Sequence, residues 1–575
     1  MILQSLLRRY EDTAEVLPGW QKRNVSHALN LSESGELLGI IPLGDHVDKK
    51  TSKLSLTLPA APGRSGKNAY ETAYFLCDDG EFILGLDPKK FNSSKKLHID
   101  LLADVDTPSA NAITSYFSAN APTFTANPSE KKANVIDSYT FQVKNTTVTI
   151  SAKDMLGAKF VFMVNGKRVD YDDGGEKIIH TWESAQSHDG ETGRCLITGK
   201  CEPIVRLHGK VLLKGVTMGA QPLISMNDQT SFRSYGSVPK DPAAQVGEKA
   251  AFAYVTALNN LLSDPNHNQN LGGDTLVYWA VGNGESEAET FSLLSNPKES
   301  EDERLSAIMR QVSQGKLPDI EGCEWDKPFY LLCLSPNAAR ISVRFFHVST
   351  FGDIIKNLTE HYWRLDIARS QKEKYPLIPP WIILSETTVS KKTADTSPLL
   401  SGQLMQSILK NAVYPMTLYY SILNRIRAGE EINRTKAAVV KAILIKNFNE
   451  SEVTTMSLNP DSSERAYILG RLFFVLEQLQ KEASGGSLNV TIKERYFASA
   501  CANPQNVFPT VLKLSMHHSA KLDNAVRYEK LKTELLDRLD EINPFPAAFS
   551  LAEQGKFILG YYHQNKDFFT KKDKE

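Results

Sequence analysis

The sequence predicts an α+β fold: a β-rich N-terminal region over residues 1–230, an α/β continuation over 231–390 and a helical bundle over 391–575. Three observations predict it. Short alternating or apolar runs, broken by Gly, Pro, Asn and Asp, fill the first region. Past Glu248 a helically spaced stretch gives way to apolar strands. Beyond a proline-rich segment nearly every stretch repeats its apolar residues three and four positions apart, the period of a helix with one buried face.

Taken in order, Lys53–Leu58, Tyr74–Leu76, Phe141–Val143, Thr147–Ile150 and Phe160–Val164 read as strands. Asn165-Gly166 reads as a two-residue hairpin turn, because these residues tolerate the positive φ angles such a turn needs. The run AAFAYVTALNNLL has helical spacing; Leu276–Ala280, Phe329–Leu334 and Arg340–Phe346 read as strands, the last two joined across Ser335-Pro336-Asn337. Tyr375–Pro380 and the polar stretch Ser390–Ser397 read as a boundary. Helices are expected over Ser401–Lys410, Tyr419–Arg427, Arg434–Lys446, Ala466–Ala483, Ile492–Ala500, Val511–Ser519 and Ala525–Asp540, before a charged tail, Lys571–Glu575.

At 575 residues the chain is too long for one core, which sets an expectation of about two to four domains. Lys and Arg number 66 against 67 Asp and Glu, so net charge names no partner and leaves room for a local basic groove. Six cysteines over such a length fit a reducing compartment and not a disulfide framework. MILQSLLRRY places its arginines after its apolar residues, the reverse of a signal peptide, and no run approaches the ~18 apolar residues of a membrane span. A cytoplasmic protein without a membrane anchor is expected.

The stretch RCLITGKCEPIVRLH holds Cys195, Cys201 and His208, with His180 and His188 upstream. Zinc ligands usually come in pairs two to four residues apart, so a hairpin with incidental thiols is favoured over a metal site, and no cofactor is expected. His188-Asp189 is a weak phosphohydrolase signal with no helical His partner. No GxxxxGK[ST] loop occurs, which disfavours a P-loop NTPase, and no nucleophile elbow or paired-carboxylate signature stands out.

Two features favour nucleic acid. The loop of Gly63, Arg64, Ser65, Gly66, Lys67 and Asn68 combines glycines that permit close approach with donors for phosphate and base edges; a solvated surface loop is the competing reading. In the bundle, Lys493, Arg495 and Tyr496, then Lys513, His517, His518 and Lys521, put cations and aromatics on neighbouring helices, which suits a displaced single strand; an ordinary solvated helix face competes.

CLITGKCEPIVRLHGKVLLKGV, SFRSYG, AAFAYVTALNNLL with GGDTLVYWA, FYLLCLSPNAARISVRFF with TFGDIIKNLTEHYWRLDI, AYILGRLFFVLEQLQKEA, VFPTVLKLSMHH and EQGKFILGYYHQNKDFFTKK together resemble the large subunit of the type I-C CRISPR surveillance complex, Cascade, along essentially the whole chain. The resemblance implies a non-enzymatic subunit of an RNA-guided complex. Base pairing with the guide reads the target, while this subunit senses the short protospacer-adjacent motif in duplex DNA, stabilises the R-loop and presents it to a recruited helicase-nuclease. It places motif sensing in the loop before YFLCDDGEFILG, hence on Arg64, Ser65, Gly66, Lys67 and Asn68, and it leaves no metal role for Cys201. Its implied partners are the guide RNA-bearing backbone and handle-binding CRISPR subunits, target duplex DNA with its displaced strand, and a small subunit translated internally from Met456, matching residues 456–575. Two other classes compete: a nucleic-acid-processing enzyme of the same system, which needs a clustered carboxylate or histidine set, and a purely structural scaffold, for which changes at 63–68 would leave DNA affinity untouched.

Overall fold

A computed structural model describes the chain except residues 14–18, 45, 48–49, 52–53, 61–63, 65–68, 120, 130–134, 144–145, 153–155, 157, 171–173, 186–191, 218, 226–243, 298–306, 309, 313, 315, 317–319, 370–376, 486–488 and 570–575. The fold is α+β, with strands concentrated toward the N-terminus and helices toward the C-terminus. Packing groups the residues into two compact units: Thr13–His208 with Ile224–Thr256, and Met1–Asp12 with Gly209–Leu223 and Ala257–Glu575. No helix among the described residues is long and apolar enough to cross a membrane.

The chain opens with α1 (Ile2–Thr13), most of which belongs to the second unit. The first unit begins with β1 (Trp20–Val25), β2 (His27–Leu31), β3 (Leu37–Pro42) and β4 (Leu54–Pro59), of which β1 and β4 form an antiparallel ribbon. After β5 (Cys77–Asp79) come α2 (Pro88–Leu102) and α3 (Pro108–Ser118). Each starts with proline behind a side-chain cap: Asp87 accepts the Lys89 and Lys90 N–H groups, and Thr107 accepts that of Ala110. The periodicity of α2 escapes the eye because its buried face is Phe91, Ser94, His98 and Leu102, half of it polar. A three-stranded antiparallel sheet follows from β6 (Phe124–Pro128), β7 (Ile136–Val143) and β8 (Thr146–Ser151), with β7 central.

The strand that organises this unit is β9 (Lys159–Val164), parallel to β2 and antiparallel to β5. The expected turn closes it, with Asn165 at φ +48° and Gly166 at φ +80°. Next come α4 (Gly175–Ala185) and a short hairpin of β10 (Thr192–Arg194) and β11 (Cys201–Pro203). Phe75, Phe91, Phe117, Phe162 and Trp182 fill one core. The expected strand Tyr74–Leu76 is instead a bend: Leu76 sits at φ +56°, its N–H donating to Nε2 of the buried His98 at 3.1 Å, and β5 begins one residue later.

α5 (Glu248–Ser263) starts in the first unit and ends in the second. The second unit holds an antiparallel sheet of β12 (Asn268–Leu271), β13 (Asp274–Ala280), β14 (Pro328–Asn337) and β15 (Arg340–Thr350), in that order, with α6 (Glu285–Ser295) between β13 and β14 in sequence. Every residue of β13 is buried, which is why it reads as a continuous apolar run. Ser335-Pro336-Asn337 lies inside β14, not in the turn: Asn337 pairs with Arg340, and the turn is Ala338-Ala339, with Ala338 at φ +50°.

Helices complete the unit: α7 (Phe351–Leu365), α8 (Pro380–Ser385), α9 (Pro398–Leu409), α10 (Met416–Arg427), α11 (Arg434–Phe448), α12 (Arg465–Ala483), α13 (Ile492–Ala502), α14 (Pro504–Ser519), α15 (Val526–Leu536) and α16 (Leu551–Phe569). One core runs from Leu271 in the sheet to Tyr562 in α16, and it takes in Leu377, Ile378 and Ile383 near the expected boundary. There an ion network fastens three segments: Glu386 meets Lys391 and Lys436 at 2.9 and 2.7 Å, and Glu430 meets Lys391, Lys436 and Arg425 at 2.6, 3.1 and 2.5 Å. α12 and α16 cross with backbones nearly touching, since a Cβ at Gly470 would lie 2.0 Å from the Phe557 carbonyl oxygen and one at Gly560 would lie 2.1 Å from that of Tyr467.

Candidate nucleic-acid interface

Of the loop expected to sense the motif, Arg64 is described, whereas Gly63, Ser65, Gly66, Lys67 and Asn68 lie outside the described residues. Arg64 does not reach into open space. Its guanidinium carbon sits 3.6 Å from the centroid of Tyr74 and 3.7 Å from that of Phe82, between two aromatic faces. Nε donates to the Thr72 carbonyl at 2.6 Å, one terminal nitrogen donates to Asp79 at 3.1 Å, and the other pairs with Asp78.

Asp78 is fully buried and also accepts the N–H groups of Tyr74 and Asp79, at 2.8 and 2.7 Å. Burial pushes its carboxyl above the usual carboxylate range, and Arg64 together with the two amides opposes that shift. Asp79 pairs further with Lys159 at 2.5 Å, and Arg23, which donates to the Cys77 carbonyl at 2.8 Å, lies 4.9 Å from the Tyr74 ring. Three cations thus surround one tyrosine, with two carboxylates beneath. Every donor face of Arg64 is committed, so its side chain is fixed against Tyr74, Phe82, Asp78 and Asp79. Sequence reading missed Arg23, Tyr74, Asp78, Asp79, Phe82 and Lys159. The signal was present: YFLCDDGEFILG sets two acids inside an apolar run, and buried acids need partners.

The bundle set divides. Lys493 on α13 lies partly buried with its ammonium 5.3 Å from the Tyr561 ring, its pKa lowered by burial and raised in part by Glu477. Arg495 is two residues on, about 200° around the helix, and exposed, whereas Tyr496 packs against the core. On α14, Lys513 and His517 are exposed at a spacing of four, with exposed Lys521 four further on just past the helix end, so these three follow one another along one side. His518 is half-buried and held below its ordinary pKa by burial, then by Lys521 and His517. The structure therefore lines up Lys513, His517 and Lys521 and turns Lys493 inward.

The cysteine stretch forms the expected hairpin, with strands shorter than the apolar runs suggested. Cys195 is buried, its thiol accepting the N–H groups of Ile197 and Thr198 at 3.4 Å each, while Cys201 is exposed. His208 is buried against the Tyr254 hydroxyl at 2.7 Å. His188 and Asp189 lie outside the described residues.

Among the described residues, one cluster of metal-ligating groups went unnoticed: Asp264, His267 and Glu285. His267 contacts the Tyr278 carbonyl through Nδ1 at 3.0 Å and Glu285 through Nε2 at 3.1 Å. The Arg9 guanidinium stands beside both, 3.0 Å from Glu285 and 3.4 Å from His267. That guanidinium supplies the positive charge the cluster calls for, so the arrangement works as a structural ion pair joining α1 to the sheet.

No curated protein matches the chain. A family model described as CRISPR-associated protein (Cas_Csd1) matches residues 4–569, nearly the whole chain. With strands first, helices last and a single match running through both, the chain belongs to the Cas_Csd1 family of CRISPR-associated proteins.

Proposed function

We propose that this chain is the non-enzymatic large subunit of a type I-C CRISPR surveillance complex. It senses the protospacer-adjacent motif in duplex DNA through the loop anchored by Arg64, stabilises the R-loop and helps recruit a helicase-nuclease. The observation that carries this reading is family membership over residues 4–569, because the match runs through the motif loop and the bundle alike. The clamp on Arg64 supports it physically, since a loop that reads base edges needs a fixed point of departure. In the bundle, Lys513, His517 and Lys521, joined by Arg495, guide the displaced strand, with His518 and Tyr496 at their margin. Met456 lies between α11 and α12, so a product of internal translation would carry α12 to α16.

A nuclease reading has one observation in its favour, the group Asp264, His267 and Glu285, and Arg9 at its centre speaks against it. Purified chain, co-expressed with guide RNA and the backbone and handle-binding subunits, should co-purify with them and leave labelled DNA intact in Mg²⁺ or Mn²⁺. Metal-dependent cleavage lost in Glu285→Gln, or failure to join the other subunits, would overturn the reading.

A further inference from the structure

α2 runs against a local rule. Acids favour the first turn of a helix, where the macrodipole is positive, yet the first turn of α2 holds Lys89 and Lys90 and no acid. The helix carries four lysines and one acid in its 15 residues, within a chain whose charges nearly cancel. Lys90 is accounted for by its pair with Glu81 at 2.7 Å. Helix stability gives no such reason for Lys89.

The burial pattern puts the remaining polar groups on one face. Past Pro88 the exposed positions of α2 are Lys89, Asn92, Lys96 and Asp100, at steps of three, four and four, so at 100° per residue they fall within about 80° of one another. Phe91, Ser94, His98 and Leu102 hold the other side in the core. This stripe borders the turn Ala69–Glu71, which follows directly on Asn68. Lys89 Nζ lies 5.6 Å from the centroid of the Tyr70 ring, and the Ser93 hydroxyl donates to the Glu71 carbonyl at 2.7 Å.

We propose that Lys89, Asn92 and Lys96 form a track for the phosphates of the duplex DNA that carries the motif, alongside the 63–68 loop. The inference rests on motif sensing by that loop. Lys and Asn are donors of the kind phosphates take, whereas the centre of a protein interface is built on aromatic and apolar anchors and depleted of lysine; the stripe holds no such anchor, so its chemistry fits DNA and not a protein partner. Each strand of a duplex presents a phosphate about every 3.4 Å of axis, so two lysines about 10.5 Å apart along α2 reach separate phosphates. The positive end of the helix adds to the attraction at Lys89. Asp100, one turn past Lys96, ends the track.

The test takes the reconstituted complex with Lys89→Gln/Lys96→Gln. Lys95→Gln is the control, since it removes a charge from a half-buried position of the same helix, about 100–120° from both lysines. Labelled targets are a duplex with the motif, a duplex without it, and the guide-complementary single strand. The double variant should flatten the plot of log affinity against log salt by about 1.8 on both duplexes, at about 0.9 per phosphate, so that between about 50 and 200 mM salt wild type loses about 12-fold more affinity than the variant. The slope on the single strand, the ratio of affinities for the two duplexes and all Lys95→Gln slopes should stay as in wild type. Wild-type slopes on duplex with that ratio intact would overturn the track and leave motif sensing standing. Equal flattening on the single strand or by Lys95→Gln, or loss of a co-purifying protein subunit from the double variant, would also overturn it. A wild-type complex that binds both duplexes alike would overturn motif sensing and, with it, the track beside the loop.

Discussion

Replacing Arg64 tests whether the candidate loop is held from beneath. In Arg64→Ala, Asp78 loses its one cationic partner among the described residues, and stranding a buried charge of this kind costs about 3–5 kcal/mol. Arg64→Lys keeps a charge but cannot lie flat between Tyr74 and Phe82 while donating to three acceptors, so it should lose the Thr72 bond and part of the stacking, about 1–3 kcal/mol. Asp78→Asn leaves Arg64 paired with Asp79 and should cost less than Arg64→Ala. The two sites are in contact, so the double variant should fall short of the summed single losses by about 1–3 kcal/mol. Amide hydrogen exchange at Tyr74 and Asp79, whose N–H groups both end on Asp78, reads the local opening free energy directly. Protection unchanged within about 0.5 kcal/mol in Arg64→Ala, or strict additivity in the double variant, would refute the clamp.

Burial of His98 holds its pKa at about 4 against 6.5 in the unfolded chain. The unfolded state therefore takes up a proton that the folded state refuses, and His98 should contribute about 3 kcal/mol of stability above pH 6.5 that is lost on reaching pH 4; an equal fall of the denaturation midpoint in wild type and His98→Gln over that window would contradict it. Gly470→Ala forces a Cβ to within 2.0 Å of backbone that no side chain can vacate, so the melting midpoint should drop by the equivalent of about 1–3 kcal/mol, while Gly39→Ala, with open space around it, should serve as a near-neutral control. Lys513→Gln with Lys521→Gln should flatten the salt dependence of single-strand binding by about 1.4, and Lys493→Gln should leave that slope alone; equal effects would mean the inward placement of Lys493 is wrong.

Much of the architecture was legible because burial leaves a period. Leu54–Pro59, Thr146–Ser151 and Lys159–Val164 alternate or run apolar, Asn165-Gly166 names its own turn, and the helices from Pro398 onward repeat their apolar residues at three and four. What failed to show has a physical cause in each case. α2 hides its face by burying Ser94 and His98, and α14 was read from Val511 because Pro509 lies inside it. α16 went unread since Gly555, Gly560 and polar Gln554, His563 and Gln564 sit on buried positions. The division of the chain is invisible locally, as a core shared between Leu271 and Tyr562 depends on contacts far apart in sequence. At the site, residue types pointed to Arg64, and its fixed position emerges only when Asp78, Tyr74 and Phe82 converge on it.

The central claim, motif sensing in duplex DNA, meets its most direct test in a binding titration of the reconstituted complex. Targets would differ only in the adjacent motif, each supplied as duplex and as a pre-opened bubble, with wild type beside Lys67→Ala/Asn68→Ala. The account predicts that wild type discriminates between motifs on duplex, and that the variant loses about 1–3 kcal/mol per base-edge contact on the motif-bearing duplex while binding the bubble as wild type does. Equal loss on duplex and bubble, or wild-type affinity that ignores the motif, would contradict it.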